Sequence, residues 1–380
     1  MKGFVATVLV LIVFQLNAQY AIGHRTITFN DPSRSRNIEC EIYYPGATAG
    51  DDVACASGSF PVIIFGHGFS MGVDAYDNFA DLLPTLGYVL VLPTTEGGLG
   101  PDHGDFGLDL RFLNEEIKSE ATTNASFFLY GHFNGNTALA GHSMGGGSSF
   151  LAAENNSNIT CLFNFAAAET TPSAVSAAAN ISVPVLVFEG EKDGVAPPAS
   201  HQDLMYNALT TNCKYKIIIL GGGHCYFANY NLACATGELF TTPQPTISRE
   251  EQHDCQFDML LYFLDWQLFG NASSKMILED SLQNSPRVLA TYSCPLTGID
   301  KDGSQIYIYP NPASEELHVE LTEMADFSIQ ISDMQGKVLF ADQYKAKNAL
   351  VLDVSEYASG MYILGVHGDD FQLIHTFVLE

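Results

Sequence analysis

The run Gly141-His142-Ser143-Met144-Gly145 sets one serine between glycines, where the apolar stretch Thr137–Gly141 gives way to the small-residue segment Met144–Ala153. A strand followed directly by a helix forces the chain through a sharp turn, and glycines let it pass without side-chain collisions. Such a turn holds its serine in a strained backbone conformation and leaves the hydroxyl at the carboxyl edge of the sheet. A serine hydroxyl attacks a carbonyl only when a base takes its proton and a carboxylate orients that base. Both are expected downstream, the acid first and the histidine second.

The run Val183–Phe188 ends in Glu189-Gly190-Glu191-Lys192-Asp193-Gly194. Asp193, in the loop just past that strand, is the expected acid, with Glu189 and Glu191 as competitors. The run Lys214–Leu220 leads into Gly221-Gly222-Gly223-His224, which delivers His224 to the same edge as the expected base. Of the eleven histidines, His201 opens a helix, His253 lies near the last helix, and His24 and the C-terminal ones are wrongly placed. His67 is given no catalytic role. Attack on a carbonyl puts charge on oxygen, which backbone N–H groups fixed beforehand stabilise best. Met144, directly after the nucleophile, is one expected donor, and Phe69, in Gly66-His67-Gly68-Phe69-Ser70, is the other, its ring a possible wall of an acyl clamp. No cofactor is implied, since Gly97-Gly98-Leu99-Gly100 lacks the strand-turn-helix context of a nucleotide loop. No metal is expected either, because His224, Cys225, Cys234, His253 and Cys255 match no compact zinc spacing.

Eight β-rich runs are expected to position these residues: Arg25–Phe29, Glu39–Tyr44, Pro61–Phe65, Tyr88–Leu92, Thr137–Gly141, Ile159–Phe165, Val183–Phe188 and Lys214–Leu220. Between them Tyr76–Leu86, Leu108–Ile117, Met144–Ala153, Ser200–Thr210 and Phe257–Phe269 carry helical apolar spacing, with Pro84 disposed to end the first early. The alternation predicts an α/β domain over residues 19–270, a mostly parallel eight-stranded sheet with flanking helices. The stretch from Cys225 to Cys255 is long for a loop and reads equally as a lid or pocket wall and as a tethered surface excursion.

Met1-Lys2, the apolar run Phe4–Phe14 and Leu16-Asn17-Ala18 have the charge, core and small residue of a secretory signal, so residues 1–18 are expected to be removed. Residues 271–304, polar and without periodicity, are read as a linker. From 305 to 380 seven short runs, with turns such as Gln335-Gly336 and Ser359-Gly360 between them, predict a small all-β sandwich. Lys and Arg number 16 against 43 Asp and Glu, a formal charge of −27 that repels phosphate backbones and argues against nucleic acid and anionic membranes as partners. All eight cysteines lie in the exported part, where disulfides are expected. Proximity alone favours Cys40 with Cys55 and a pair within Cys225, Cys234 and Cys255.

Asp31-Pro32-Ser33-Arg34 leading to Tyr43-Tyr44-Pro45, Gly66-His67-Gly68-Phe69-Ser70, Gly141-His142-Ser143-Met144-Gly145-Gly146, Gly190-Glu191-Lys192-Asp193 with Ala196-Pro197, and Gly223-His224 together resemble one group of proteins. These are the dienelactone hydrolase-like and polyester-lipase-cutinase-like esterases of the α/β-hydrolase fold, and the likeness covers residues 22–270. It implies Ser143, Asp193 and His224 as a triad, with Phe69 and Met144 lining the oxyanion hole. The chain departs from cutinase-like members, which often place a tryptophan beside the active site, in having its one tryptophan, Trp266, in the last helix. The long cysteine-bearing segment after His224 departs as well. Tyr309-Pro310-Asn311-Pro312-Ala313, Asp333-Met334-Gln335-Gly336-Lys337, Asp353-Val354-Ser355 and Ser359-Gly360-Met361-Tyr362 resemble the sorting domain of type IX secretion. That likeness implies the type IX machinery as a partner, passage through the periplasm, and a secreted or surface-attached product freed in or near the linker. The expectation is a serine carboxylic-ester hydrolase acting on a small or polymeric ester. A lipase, a cutinase-like polyester hydrolase and a serine peptidase are the enzymatic alternatives, and a surface adhesion or binding protein is the non-enzymatic one.

Overall fold

The computed structural model describes residues 20–294, 306–310, 312–333, 337–368 and 372–379, so the expected signal peptide at 1–18 lies outside the described residues. The chain divides into two units, Met1–Cys294 and Pro295–Glu380.

In the first unit β1 (Ala21–Asp31), β2 (Arg36–Gly46), β3 (Gly50–Asp51), β4 (Phe60–Gly66), β5 (Val89–Pro93), β6 (Phe133–His142), β7 (Cys161–Phe165), β8 (Val185–Gly190), β9 (Lys214–Ile219) and β10 (Val288–Ser293) form one sheet. Their order is β10-β9-β8-β7-β6-β4-β5-β2-β1-β3. The stretch from β5 through β4 to β9 is parallel. β2 runs antiparallel to β1 and β5, and β10 antiparallel to β9. The fold is the expected α/β-hydrolase arrangement with all eight predicted strands, and β3 and β10 raise the count to ten.

The helices are α1 (Asp77–Ala80), α2 (His103–Thr123), α3 (Met144–Ala153), α4 (Ala174–Ala178), α5 (Gln202–Ala208), α6 (Leu232–Leu239), α7 (Arg249–Phe269) and α8 (Ala272–Asn284). Successive residues of a strand point to opposite faces, so each strand feeds two cores. Val62 and Ile64 pack with Leu110, Leu113 and Ile117 of α2 and Phe150 of α3, whereas Ile63 and Phe65 pack with Leu260, Phe263 and Leu264 of α7. The helix expected over Tyr76–Leu86 is broken into a 3₁₀ turn at Val73–Tyr76, α1, and a second turn at Pro84–Leu86 that Gly87 closes at φ 93.

Residues 271–304, expected to be a linker, begin instead with α8 and β10. Asn271 caps α8 by accepting the N–H of Ser273, and Leu278 and Leu282 are buried in the core. β10 covers only one face, with Val288 buried and Leu289 exposed, and six alternating residues at a sheet edge give too short a pattern to stand out. Cys294 closes this segment by a disulfide to Cys213, 81 residues earlier. The pairing of Cys40 with Cys55 does not occur; both are free thiols, because Cys55 lies against Gly46, six residues further along β2 than Cys40, about 20 Å away and beyond disulfide reach. Cys225 is joined to Cys234, and Cys255 is a buried free thiol.

The second unit is all antiparallel: β11 (Ile306–Tyr309), β12 (Glu316–Asp333), β13 (Val338–Asp353), β14 (Gly360–Gly368) and β15 (Gln372–Leu379). The seven expected runs become five strands because β12 and β13 each span two of them, with register shifts between Glu320 and Phe327 where the long pair is irregular. Both halves of β12 contribute to one sandwich core, with Leu317, Val319, Ile329 and Ile331 packed with Leu352, Leu364 and Phe377.

Candidate active site

β6 ends at His142 and α3 begins at Met144, which leaves Ser143 alone in the turn at φ 55 and ψ −119. A residue with a side chain is strained there. Glycines make the turn possible: a Cβ on Gly141 lies 2.4 Å from the Gly145 carbonyl oxygen, and one on Gly145 lies 2.1 Å from that of Gly66. Hydrogen bonds lock the strained residue. Its N–H donates to Phe165 O at 3.0 Å, and its carbonyl accepts from Ala168 N–H at 2.9 Å and Gly147 N–H at 3.0 Å.

Ser143 Oγ lies 2.9 Å from His224 Nε2, and His224 Nδ1 lies 2.7 Å from Asp193 Oδ2. The other carboxylate oxygen of Asp193 accepts from Val195 N–H at 2.9 Å and Ala196 N–H at 2.7 Å. Asp193 and His224 are buried and Ser143 is partly exposed. An imidazole that donates Nδ1–H to a carboxylate presents Nε2 as an acceptor, so this arrangement can take the serine proton. The competing acids are engaged elsewhere. Glu189, buried in β8, stands 3.8 Å from Lys216, and burial pushes its carboxyl up to about 7 against the opposing pull of that lysine. Glu191 accepts from Gly221 N–H at 2.8 Å and pairs with Lys192 at 2.9 Å. His201 accepts from Glu169 N–H, and His253 donates to Ala228 O.

Met144 is the first residue of α3, and its N–H is one of the donors a helix start leaves unpaired within the helix. The close approach of Gly66 and His67 to Gly145 draws the loop carrying Phe69 alongside this first turn. His67 buttresses that loop by donating Nε2–H to Thr95 O at 2.8 Å. Thr95 in turn bonds the buried Asp109, which also binds Arg34 and Arg36. Two residues given no role in the sequence reading complete the neighbourhood. Tyr76 Oη lies 2.7 Å from Gly68 N and 3.0 Å from His142 Nδ1, and His142 Nε2 lies 3.0 Å from the carbonyl oxygen of His224. The only signal for His142 was its place inside the serine motif, and Tyr76 carried none.

After His224 the chain makes a short turn at Cys225–Phe227 and then α6, stapled by Cys225–Cys234. The base of this excursion presses on the site. Glu238 accepts from Cys225 N–H at 3.2 Å, Thr241 lies where a Cβ on Gly194 would sit, and Pro245 does the same at Gly223. Its tip is exposed and apolar, with Tyr230, Leu232, Leu239 and Phe240, the last 83 % accessible. Phe69, at 48 %, and Val195 are exposed too. Trp266 packs with Tyr215 and Phe263, apart from the serine and histidine. Of the residues weighed for zinc, Cys225 and Cys234 are joined to each other and both nitrogens of His224 are engaged.

Two protein-family models match the chain. One, described as PET hydrolase-like, matches residues 39–239, a span that includes Ser143, Asp193 and His224. The other, a secretion system C-terminal sorting domain, matches residues 307–380 and marks the chain for type IX export to the cell surface or beyond. No curated protein matches the chain.

Proposed function

Since the chain belongs to the PET hydrolase-like family and carries a type IX sorting domain, we propose that it is a secreted serine hydrolase that cleaves carboxylic esters through an acyl-enzyme on Ser143. The observation that carries this reading is the unbroken line from Ser143 Oγ through His224 to Asp193, at 2.9 and 2.7 Å. As Ser143 Oγ bonds to the ester carbonyl carbon, its proton passes to His224 Nε2, and ionised Asp193 steadies the imidazolium. The carbonyl oxygen takes the electron pair and is held by the Phe69 and Met144 N–H groups. Collapse expels the alcohol, which leaves with the proton from His224. Water then attacks the acyl-serine, gives its proton to His224, and the acid departs as Ser143 regains a proton. On this account residues 1–18 are removed as a signal, the catalytic unit extends to Cys294 rather than 270, and the secretion machinery engages residues 305–380.

The test is hydrolysis of a p-nitrophenyl ester series, short to long acyl chain, by the full chain and its Ser143→Ala variant. The variant is expected to lose about 10⁴-fold or more in kcat. Turnover that survives in the folded variant overturns the reading. The exposed apolar side chains of Tyr230, Leu232, Leu239 and Phe240 favour a second, narrower reading in which the ester is polymeric or aggregated. Release of soluble acid from a polyester film, set beside the soluble series, separates the two.

A further inference from the structure

Three parts that must be in register for acyl transfer converge on two buried side chains. Gly68 adjoins Phe69 in the oxyanion loop, His142 precedes Ser143, and the carbonyl of His224 belongs to the base itself. Tyr76 and His142 join them, and both are wholly inaccessible to water.

With His142 neutral, the protons along this line have one consistent arrangement. The His224 carbonyl oxygen can only accept, so His142 carries its proton on Nε2 and donates it there, at 3.0 Å. Nδ1 is then a bare acceptor, so the Tyr76 hydroxyl donates to it at 3.0 Å. The Tyr76 oxygen keeps a lone pair for Gly68 N–H, at 2.7 Å. Every donor then meets an acceptor, whereas a charged imidazole would donate Nδ1–H to Tyr76 and turn the hydroxyl to Met71 Sδ, 3.5 Å away. Burial, first among the causes, holds His142 well below the usual histidine range. Neutrality also suits the reaction, because the His142 and His224 rings are 4.9 Å apart and a second positive charge there opposes the imidazolium. The line closes only because residue 68 lacks a side chain: a Cβ there stands 2.7 Å from Met71 Sδ and 3.2 Å from both His142 Nδ1 and Tyr76 Oη. An all-apolar filling of this space serves stability equally well. The polar line has a direction, from the oxyanion loop to the base.

Resting on the acyl-transfer reading above, we propose that Tyr76 and His142 are positioning residues, a neutral relay that holds the Phe69 loop and the His224 backbone in register with Ser143. Neither touches substrate. Their effect belongs to the transition state, where the oxyanion and the imidazolium develop together.

The test compares the full chain with its Tyr76→Phe, His142→Leu and His142→Gln variants on one soluble p-nitrophenyl ester, with Ser143→Ala as the control for the acyl-transfer reading. Tyr76→Phe and His142→Leu are expected to lose about 10- to 100-fold in kcat with KM changed by less than about threefold, the signature of an interaction made in the transition state. In His142→Gln the amide oxygen accepts from Tyr76 and the amide nitrogen donates to His224, so much of the loss is expected to return. The double variant Tyr76→Phe/His142→Leu is expected to be about as slow as the worse single one, because the two act as a unit. Thermal unfolding of each variant is followed alongside. A kcat within about twofold of the parent in folded Tyr76→Phe overturns the proposal, as do losses that simply multiply in the double variant or a glutamine variant no better than leucine. If Ser143→Ala keeps its activity, it is the acyl-transfer reading that fails.

Discussion

The turn that carries Ser143 and the excursion that follows His224 meet at one edge of the sheet and are built on opposite terms. At the turn, backbone lies against backbone with no room for a Cβ on Gly141 or Gly145, so sterics hold the serine's strained φ. In the excursion the root is anchored, with Phe227 and Ala228 buried in the core and Arg249 bonded to the Cys225 and Ala228 carbonyls, but the tip, stapled by Cys225–Cys234, turns Tyr230, Leu232, Leu239 and Phe240 to water. The contrast separates two jobs. On the proposed acyl-transfer reading, the stiff part sets where charge and protons go and the exposed part sets what lies down on the site.

The largest predicted effect is on the stiff side. Asp193→Asn keeps the shape but presents an amide to His224 Nδ1, which favours the wrong tautomer, and kcat is expected to drop by about 10⁴-fold. Gly145→Ala comes next. Its methyl group falls on the Gly66 carbonyl, the turn must shift by a sizeable fraction of an ångström, and a loss of about 100-fold or more in kcat/KM is expected. Near-normal activity in that variant breaks the contrast. A stability effect follows at Glu189. Its carboxyl titrates at about 7 in the folded chain against a reference of 4.5, so between these values the native state holds a proton that the unfolded chain has released. The stabilising contribution is therefore present below pH 4.5 and lost as the pH rises through 7. Urea unfolding at pH 5 and pH 8 is expected to show Glu189→Gln removing up to about 3 kcal/mol of this slope. The smallest effect is on the soft side: Cys225→Ser with Cys234→Ser is expected to leave kcat on a short-chain ester within about threefold, while the chain-length profile changes. Equal losses on short and long esters erase the distinction between the two regions.

The stiff region was the legible one. Gly141 to Gly147 reads as a turn because local sterics write it into local sequence, and Asp193 and His224 follow from strand ends that apolar runs reveal. All eight predicted strands occur for the same reason. What escaped depends on partners far along the chain. β10 has an alternating face only because β9 lies beside it, and Cys213 finds Cys294 across 81 residues. Tyr76 and His142 gain their roles from hydrogen bonds between segments 66 residues apart, which neither residue type announces. The seven runs that became five strands erred differently, because a register shift inside β12 looks like a turn when pairing is unseen.

The Cys213–Cys294 bond also bears on how the chain withstands being pulled. The segment leading to the export domain leaves from Cys294, at the free end of edge strand β10, whose Ser293 pairs with Lys214 at the start of β9. Tension on an unstapled antiparallel edge strand opens its hydrogen bonds one at a time from the loaded end. A load applied there passes through sulfur into the residue before β9 rather than along β10, so the hydrogen bonds of the edge strand, two strands from Asp193, do not bear it.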